Sequence, residues 1–204
     1  MNRLLCILLL QLVAVSTFGQ FVPRGASEDF REPIATMVQR LYRQVIGRHP
    51  LGIPSGENRK VFEPYLSKAL LREISLARSC QTDWVRQNKG QVVKEPFGWG
   101  ETGFFSGDEE LSEPSSFQIE STESNQDGSF RVYVKLTESI RNEKPWSWEV
   151  AVQVVMENKR LVVDDVIYLK GEEVHTESRL TEILKQGCDG QYWVGNAKQQ
   201  AQPQ

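Results

Sequence analysis

"WSWEVAVQVVMENKRLVVDDVIYLKG", residues 146–171, decides the fold. In its first half Trp146, Trp148, Val150, Val152 and Val154 alternate with Ser147, Glu149, Ala151 and Gln153. Alternation of this kind places one set on each face of a β-strand. Glu157, Asn158 and Lys159 interrupt the pattern, and "RLVVDDVIYL" resumes an apolar run. Two such runs with so short a turn between them form an antiparallel pair. Asp164 and Asp165 stand side by side in the second run. Paired carboxylates can carry acid–base chemistry. Neighbours on a regular strand, however, point to opposite faces and do not converge on one substrate atom. Regular alternation groups Leu161, Val163, Ile167 and Leu169 with Asp165, and Val162, Val166 and Tyr168 with Asp164. Either way one aspartate interrupts an apolar row, and a buried carboxylate is costly unless it is hydrogen-bonded or paired. The expected role is that of an acceptor for donors from a loop or helix end. The functional alternative is a polar group lining a pocket.

Working outward, "FRVYVKLTE" (130–138) directs Phe130, Val132, Val134 and Leu136 one way and Arg131, Tyr133 and Lys135 the other. "SFQIEST" (116–122) alternates Phe117 and Ile119 with polar residues, and "NQDGS" (125–129) between the two is a turn signal. These runs predict an antiparallel meander of about four strands with one apolar face. Helices supply the cover that such a face needs. Ile34, Met37, Val38, Leu41 and Val45 recur at helical spacing, with Pro33 early and Gly47 and Pro50 as stops. "HPLGIPSGEN" (49–58) reads as a turn-rich connector. A second helix is predicted over about 62–85, with Leu66, Leu70, Ile74, Ala77 and Trp84 on one face and Cys80 at its edge. "HTESRLTEILKQG" (175–187) predicts a short closing helix, capped by Thr176 or Ser178 and ended by Gly187.

From 88 to 115 the periodicity disappears into Gly, Pro and acidic residues, with Phe97, Trp99, Phe104 and Phe105 among them. Loops this long are often functional. The alternative favoured here is that the aromatics cap the core, because they bury so much apolar area. "GWGETG" (98–103) matches G-x-G-x-x-G by letter, but no strand leads into it and no helix follows, so it offers no phosphate cradle. The two histidines, His49 and His175, have no metal-ligand spacing to another His or Cys. No G-x-S-x-G elbow or catalytic-cysteine signature occurs, and no cofactor or metal is implied.

The chain of 204 residues opens with "MNRLLCILLLQLVAVSTFGQ". One basic residue, Arg3, precedes an apolar run from Leu4 to Val15, and small residues follow at Ala14, Ser16 and Gly19. That is the pattern of a secretory signal, too short to span a bilayer comfortably. Cys6 lies inside the apolar run rather than at a cleavage end, so it is not read as a lipid-anchor cysteine. Cleavage near Ser16 or Gly19 makes the chain periplasmic or secreted, with membrane contact only through an uncleaved leader. Removal leaves Cys80 and Cys188, an even pair that suggests one disulfide in an oxidising compartment; two separate buried thiols are the alternative. With 24 basic and 27 acidic residues the net charge is −3, and −4 once Arg3 leaves with the leader. That mild acidity argues against nucleic acid as a partner.

Helices followed by a meander that ends in "ENKRLVVDDVIYLKG" (157–171) and "RLTEILKQGC" (179–188) resemble the nuclear-transport-factor-2-like, cystatin-like cone of α+β type. The chain is most similar to a bacterial family of exported domains of unknown function with that fold, over roughly 34–194. It departs from the family pattern at Lys159, where glycine is common, and at Leu161, where tryptophan is common. The resemblance implies N-terminal helices packed on a curved sheet of about four strands, with a short C-terminal helix. Residues 1–19 then form the signal, 30–195 one domain and 196–204 a disordered tail. It also implies a cavity between helices and sheet, with Trp99, Trp148, Asp165 and Tyr168 as candidate lining. Relatives on this fold include enzymes, ligand binders and interaction modules, so fold leaves function open. The expected function is an exported, non-catalytic domain that binds a small apolar ligand or a protein partner. The alternatives are an isomerase or hydrolase using a pocket carboxylate, and a secreted inhibitor or immunity-type protein.

Overall fold

The computed structural model describes residues 31–89, 103–107, 113–169 and 177–189. The expected signal segment, the expected C-terminal tail, Trp99 and His175 lie outside these residues. The first helical pattern forms α1 (Arg31–Arg48). Its buried side chains, Ile34, Val38, Leu41, Tyr42 and Val45, follow the three- and four-residue spacing of one helical face.

The second predicted helix is broken in two. Helix α2 (Gly56–Phe62) begins inside the expected connector and runs into a 3-10 turn (Glu63–Tyr65) before α3 (Lys68–Gln87). Pro64 explains the break, since its ring blocks the preceding helical turn and it offers no N–H. Ser67 then restarts the helix. Its backbone is extended, and its Oγ accepts the Leu70 N–H at 3.0 Å, an N-cap. Helix α3 buries Leu70, Ile74, Ala77 and Cys80.

The meander comprises β1 (Ser116–Ser124), β2 (Phe130–Glu138), β3 (Trp146–Glu157), β4 (Arg160–Leu169) and β5 (Glu177–Arg179). All neighbours are antiparallel, in the order β1-β2-β3-β4-β5. Among the described residues the sheet therefore has five strands rather than four. The extra strand comes from the start of the predicted closing helix. Residues 177–179 pair with 167–169 of β4, and α4 (Leu180–Asp189) begins only afterwards. Ser178 is thus a strand residue and not a cap, and Gly187 lies within α4 rather than beyond it.

Both short turns work as their sequence suggests. At 125–129 Gly128 takes φ +82°, and Asp127 Oδ1 accepts the Ser129 N–H at 2.9 Å and its hydroxyl at 2.6 Å. These bonds hold the Asp127 carboxyl below its ordinary pKa. At the β3–β4 turn Asn158 (φ +49°) and Lys159 (φ +63°) both adopt left-handed backbone. A two-residue turn of that hand matches the twist of its strands.

One sheet face meets the helices. Val132, Val134 and Leu136 of β2, Val150, Val152 and Val154 of β3, and Val163, Val166 and Tyr168 of β4 share a core with α1, α2 and α3. Leu180 and Leu184 of α4 join it, and α4 lies against α3 and β4. The β4 contribution corrects the regular alternation. Gln153 pairs with Asp165, while the next residue, Val154, pairs with Val163, so Asp164 has no cross-strand partner. This β-bulge adds one residue to β4 and switches its phase. Val166 and Tyr168 consequently share the core face with Val163, not with Val162. Separation of the two aspartates by a period of two does not hold at this point.

Candidate functional site

Residues 103–107, Gly-Phe-Phe-Ser-Gly, enter the space between the helices and the sheet. Phe104 and Phe105 are 2 % and 0 % exposed. Their rings meet edge to face at 4.9 Å, and Phe105 lies 4.8 Å from Phe62 of α2. Three consecutive carbonyls of this segment are each bonded by a side chain from a different element. The Tyr168 hydroxyl of β4 donates to Phe104 O at 2.7 Å, the Tyr42 hydroxyl of α1 to Phe105 O at 3.0 Å, and Trp148 Nε1 of β3 to Ser106 O at 2.8 Å. Burial pushes both phenols far above their ordinary pKa, with Tyr42 and Asp165 adding to the effect at Tyr168. Both therefore stay protonated as donors across the physiological range.

The flanking glycines sit close to their neighbours, and at Gly107 both space and backbone require glycine. A Cβ at Gly103 would lie 1.8 Å from Ser106 Oγ. Gly107 has φ +70°, and a Cβ there would lie 2.0 Å from the Tyr168 ring. Among the described residues, a crevice beside the segment, lined by Val45, His49, Pro50, Gly103, Ser106 and Glu113, offers about 10 Å³, room for no more than a water. Of the candidate lining residues, Trp148 and Tyr168 thus hold a piece of the chain itself. Phe104 and Phe105 act as core, as the favoured reading of the long loop has it, while Phe97 and Trp99 lie outside the described residues. Tyr42 was missed by the sequence reading. Its signal is its place beside Leu41 on the apolar face of α1, since a buried tyrosine hydroxyl usually finds a partner.

The aspartates serve helix ends. Asp165, 4 % exposed, uses both oxygens. Oδ1 accepts the N–H groups of Val166 (2.9 Å) and Thr181 (3.0 Å). Oδ2 accepts the Thr181 hydroxyl (2.8 Å) and Arg179 Nη1 (3.3 Å). Thr181 is in the first turn of α4, so this carboxylate caps that helix and complements its dipole. Asp164 is half-buried, and its Oδ1 accepts the Ser67 hydroxyl at 2.6 Å, the same hydroxyl that caps α3. Each aspartate is thereby an acceptor for a helix end, and Asp165 is not free to act as a pocket carboxylate.

Loss of water raises the Glu149 pKa, and the charge and hydrogen bond of Glu120 raise it further, against the opposing charge of Lys135. Among the described residues no group of three His, Cys, Asp or Glu side chains is placed to hold a metal ion. No described helix is long and apolar enough to cross a membrane. Comparison with known proteins finds no matching family model, curated protein or solved structure.

Proposed function

We propose that this chain is an exported, non-catalytic binding module of the nuclear-transport-factor-2-like kind, and that it binds a protein partner rather than a small apolar ligand. One observation carries the choice. The space where a small ligand would lie holds Phe104 and Phe105, fixed through three carbonyls to Tyr42, Trp148 and Tyr168. Trp146 supports a surface contact instead. It is 48 % exposed and stacked on Trp148 at 4.9 Å, and a rigid, half-exposed tryptophan is the kind of side chain that anchors protein interfaces. The leader pattern at residues 1–20 supports export. The lie of α4 against α3, with Cys188 in one and buried Cys80 in the other, supports a bridge between them.

Solvent extraction and mass spectrometry of the purified mature protein test the choice. The expected result is no apolar molecule in proportion to the protein, and an N-terminus beginning after residue 16 or 19. A stoichiometric apolar ligand would overturn the protein-partner reading, and an intact leader would overturn export. A photoreactive phenylalanine analogue at position 146, expressed in the native host, should give one discrete protein adduct. Absence of any adduct would remove Trp146 as the contact.

A further inference from the structure

A second feature lies on the far side of α3 from the core. Ser75, Arg78, Ser79 and Thr82 fall on successive turns of one face of that helix and, with Arg59 of α2 and Asp83, line an open groove of about 310 Å³. Sequence reading passes over this face because it is polar and aperiodic in hydropathy. We propose that it is a phosphate-binding site.

The donors exceed the acceptors that the chain supplies. A single oxygen of Glu63, Oε1, accepts from both Arg59 Nε and Arg78 Nη1 (3.4 Å for the latter). Arg78 Nη2 donates to Pro54 O. That leaves Arg78 Nε, which is buried and has no hydrogen-bond partner. A buried N–H without an acceptor is unfavourable, and it leaves the guanidinium of a groove-lining residue one acceptor short. Guanidinium forks suit phosphate geometry better than any other side chain. The hydroxyls fit the same chemistry. Ser79 Oγ and Thr82 Oγ1 donate to the carbonyls of Ser75 and Arg78 in their own helix, and each can rotate to an entering oxygen instead. Charge agrees as well. Asp83 on the rim is paired with Arg86, so Arg59, Arg78 and Arg86 outnumber Glu63 and Asp83 in a chain of net charge −3. Arg59 is over half exposed and free to swing from Glu63 towards a ligand.

Phosphate can be free or carried on a lipid headgroup, and the test separates the two. The mature protein is titrated at low ionic strength with inorganic phosphate, with acetate, and with vesicles of phosphatidylcholine with and without phosphatidic acid. The expected result is saturable one-to-one binding of phosphate, with amide shifts centred on Ser75, Ser79 and Thr82, and at most a tenth of that affinity for acetate. Arg59→Gln should weaken phosphate binding at least tenfold while leaving the urea midpoint nearly unchanged. Tighter binding to phosphatidic acid vesicles than to phosphate would assign the site to a headgroup, and the reverse order to a soluble phosphate. Non-saturable heat, equal response to acetate, or undiminished binding by Arg59→Gln would each overturn the proposal. Its failure would leave the protein-partner reading untouched, because the two rest on different faces.

Discussion

Replacing Asp165 by asparagine removes one charge and little else, which makes it a sharp test of the capping role. The asparagine oxygen can keep the Val166 and Thr181 N–H groups now bonded to Oδ1. Its amide nitrogen then faces the Thr181 hydroxyl and Arg179 Nη1, both of which donate to Oδ2 in the native chain. The Thr181 hydroxyl can turn and accept, so its share is small. Arg179 loses its carboxylate, but its side chain is 31 % exposed and water partly replaces the partner. Hydrogen bonds to charged groups contribute about 1.5–3 kcal/mol each, and the screened Arg179 bond belongs at the low end. Adding the lost favourable charge at the α4 N-terminus, about 0.5–1 kcal/mol, gives about 2–3 kcal/mol for Asp165→Asn. Asp165→Ala strands all four donors and should cost about 3–5 kcal/mol, as when one partner of a buried pair is deleted. Asp164→Asn keeps an oxygen for the Ser67 hydroxyl and should stay under about 1 kcal/mol. Urea unfolding with matched slopes reads all three. Equal losses in the two asparagine variants, or an Asp165→Asn loss within 0.5 kcal/mol of zero, a range typical of surface changes, would refute the capping argument.

Four further outcomes follow from single features. Thiol titration of the denatured, unreduced mature protein should find no free thiol, and reduction should cost up to about 4–5 kcal/mol for closing a loop of about 100 residues; two free thiols would reject the Cys80–Cys188 bridge. Gly107→Ala forces a Cβ into the Tyr168 ring at φ +70° and should destabilise by about 2–4 kcal/mol, so an unchanged urea midpoint would mean that the segment is not held as described. Lys159→Gly relieves left-handed backbone at φ +63° and should stabilise by about 0.5–1 kcal/mol after the entropy of glycine is subtracted; a loss of stability would count against the turn geometry. Glu149 keeps its proton to higher pH folded than unfolded, so its contribution is present below the unfolded value near 4.3 and is lost as pH rises through the folded value. Glu149→Gln should flatten that part of the urea-midpoint profile as pH rises above the unfolded value, and identical profiles would mean that burial and Glu120 do not raise the Glu149 pKa in the fold.

The meander was legible because its evidence is local. Alternation in 130–138 and 146–154, and turn residues at Gly128 and Asn158, specify strands and their ends without reference to the rest of the chain. Helix α1 was legible for the same reason, apart from the role of Tyr42. Two errors have separate causes. The helix over 62–85 was read from the spacing of Leu66, Leu70, Ile74, Ala77 and Trp84, which takes no account of Pro64. The proline prevailed in the fold. Glu177–Arg179 is too short to show a period and became a strand by pairing with β4. The 103–107 segment was read correctly as an aromatic cap, but its partners could not be read. Tyr42, Trp148 and Tyr168 are distant in sequence and meet only through the fold.

The aspartate pair shows why an irregularity can escape a periodic reading and still organise the molecule. A period of two has only a phase, and one inserted residue changes that phase without altering any local preference. Here the insertion falls where the edge of β4 changes neighbours. At 167–169 that edge pairs with β5, and at Val163 it meets Leu66 and Ser67, ahead of α3. Asp164 and Asp165 lie between those two attachments, at the point on the strand where α3 and α4 begin nearby. A regular strand would place these neighbours on opposite faces, so that one carboxylate turned towards Val152 and Val154 in the core. The bulge pairs Asp165 with Gln153 on β3 and leaves Asp164 without a cross-strand partner instead. One carboxylate then takes the first turn of α4, and the other takes the serine that caps α3. The adjacency of two acids, which on a rigid strand suggests chemistry, is in this fold the means by which one strand holds the starts of two helices.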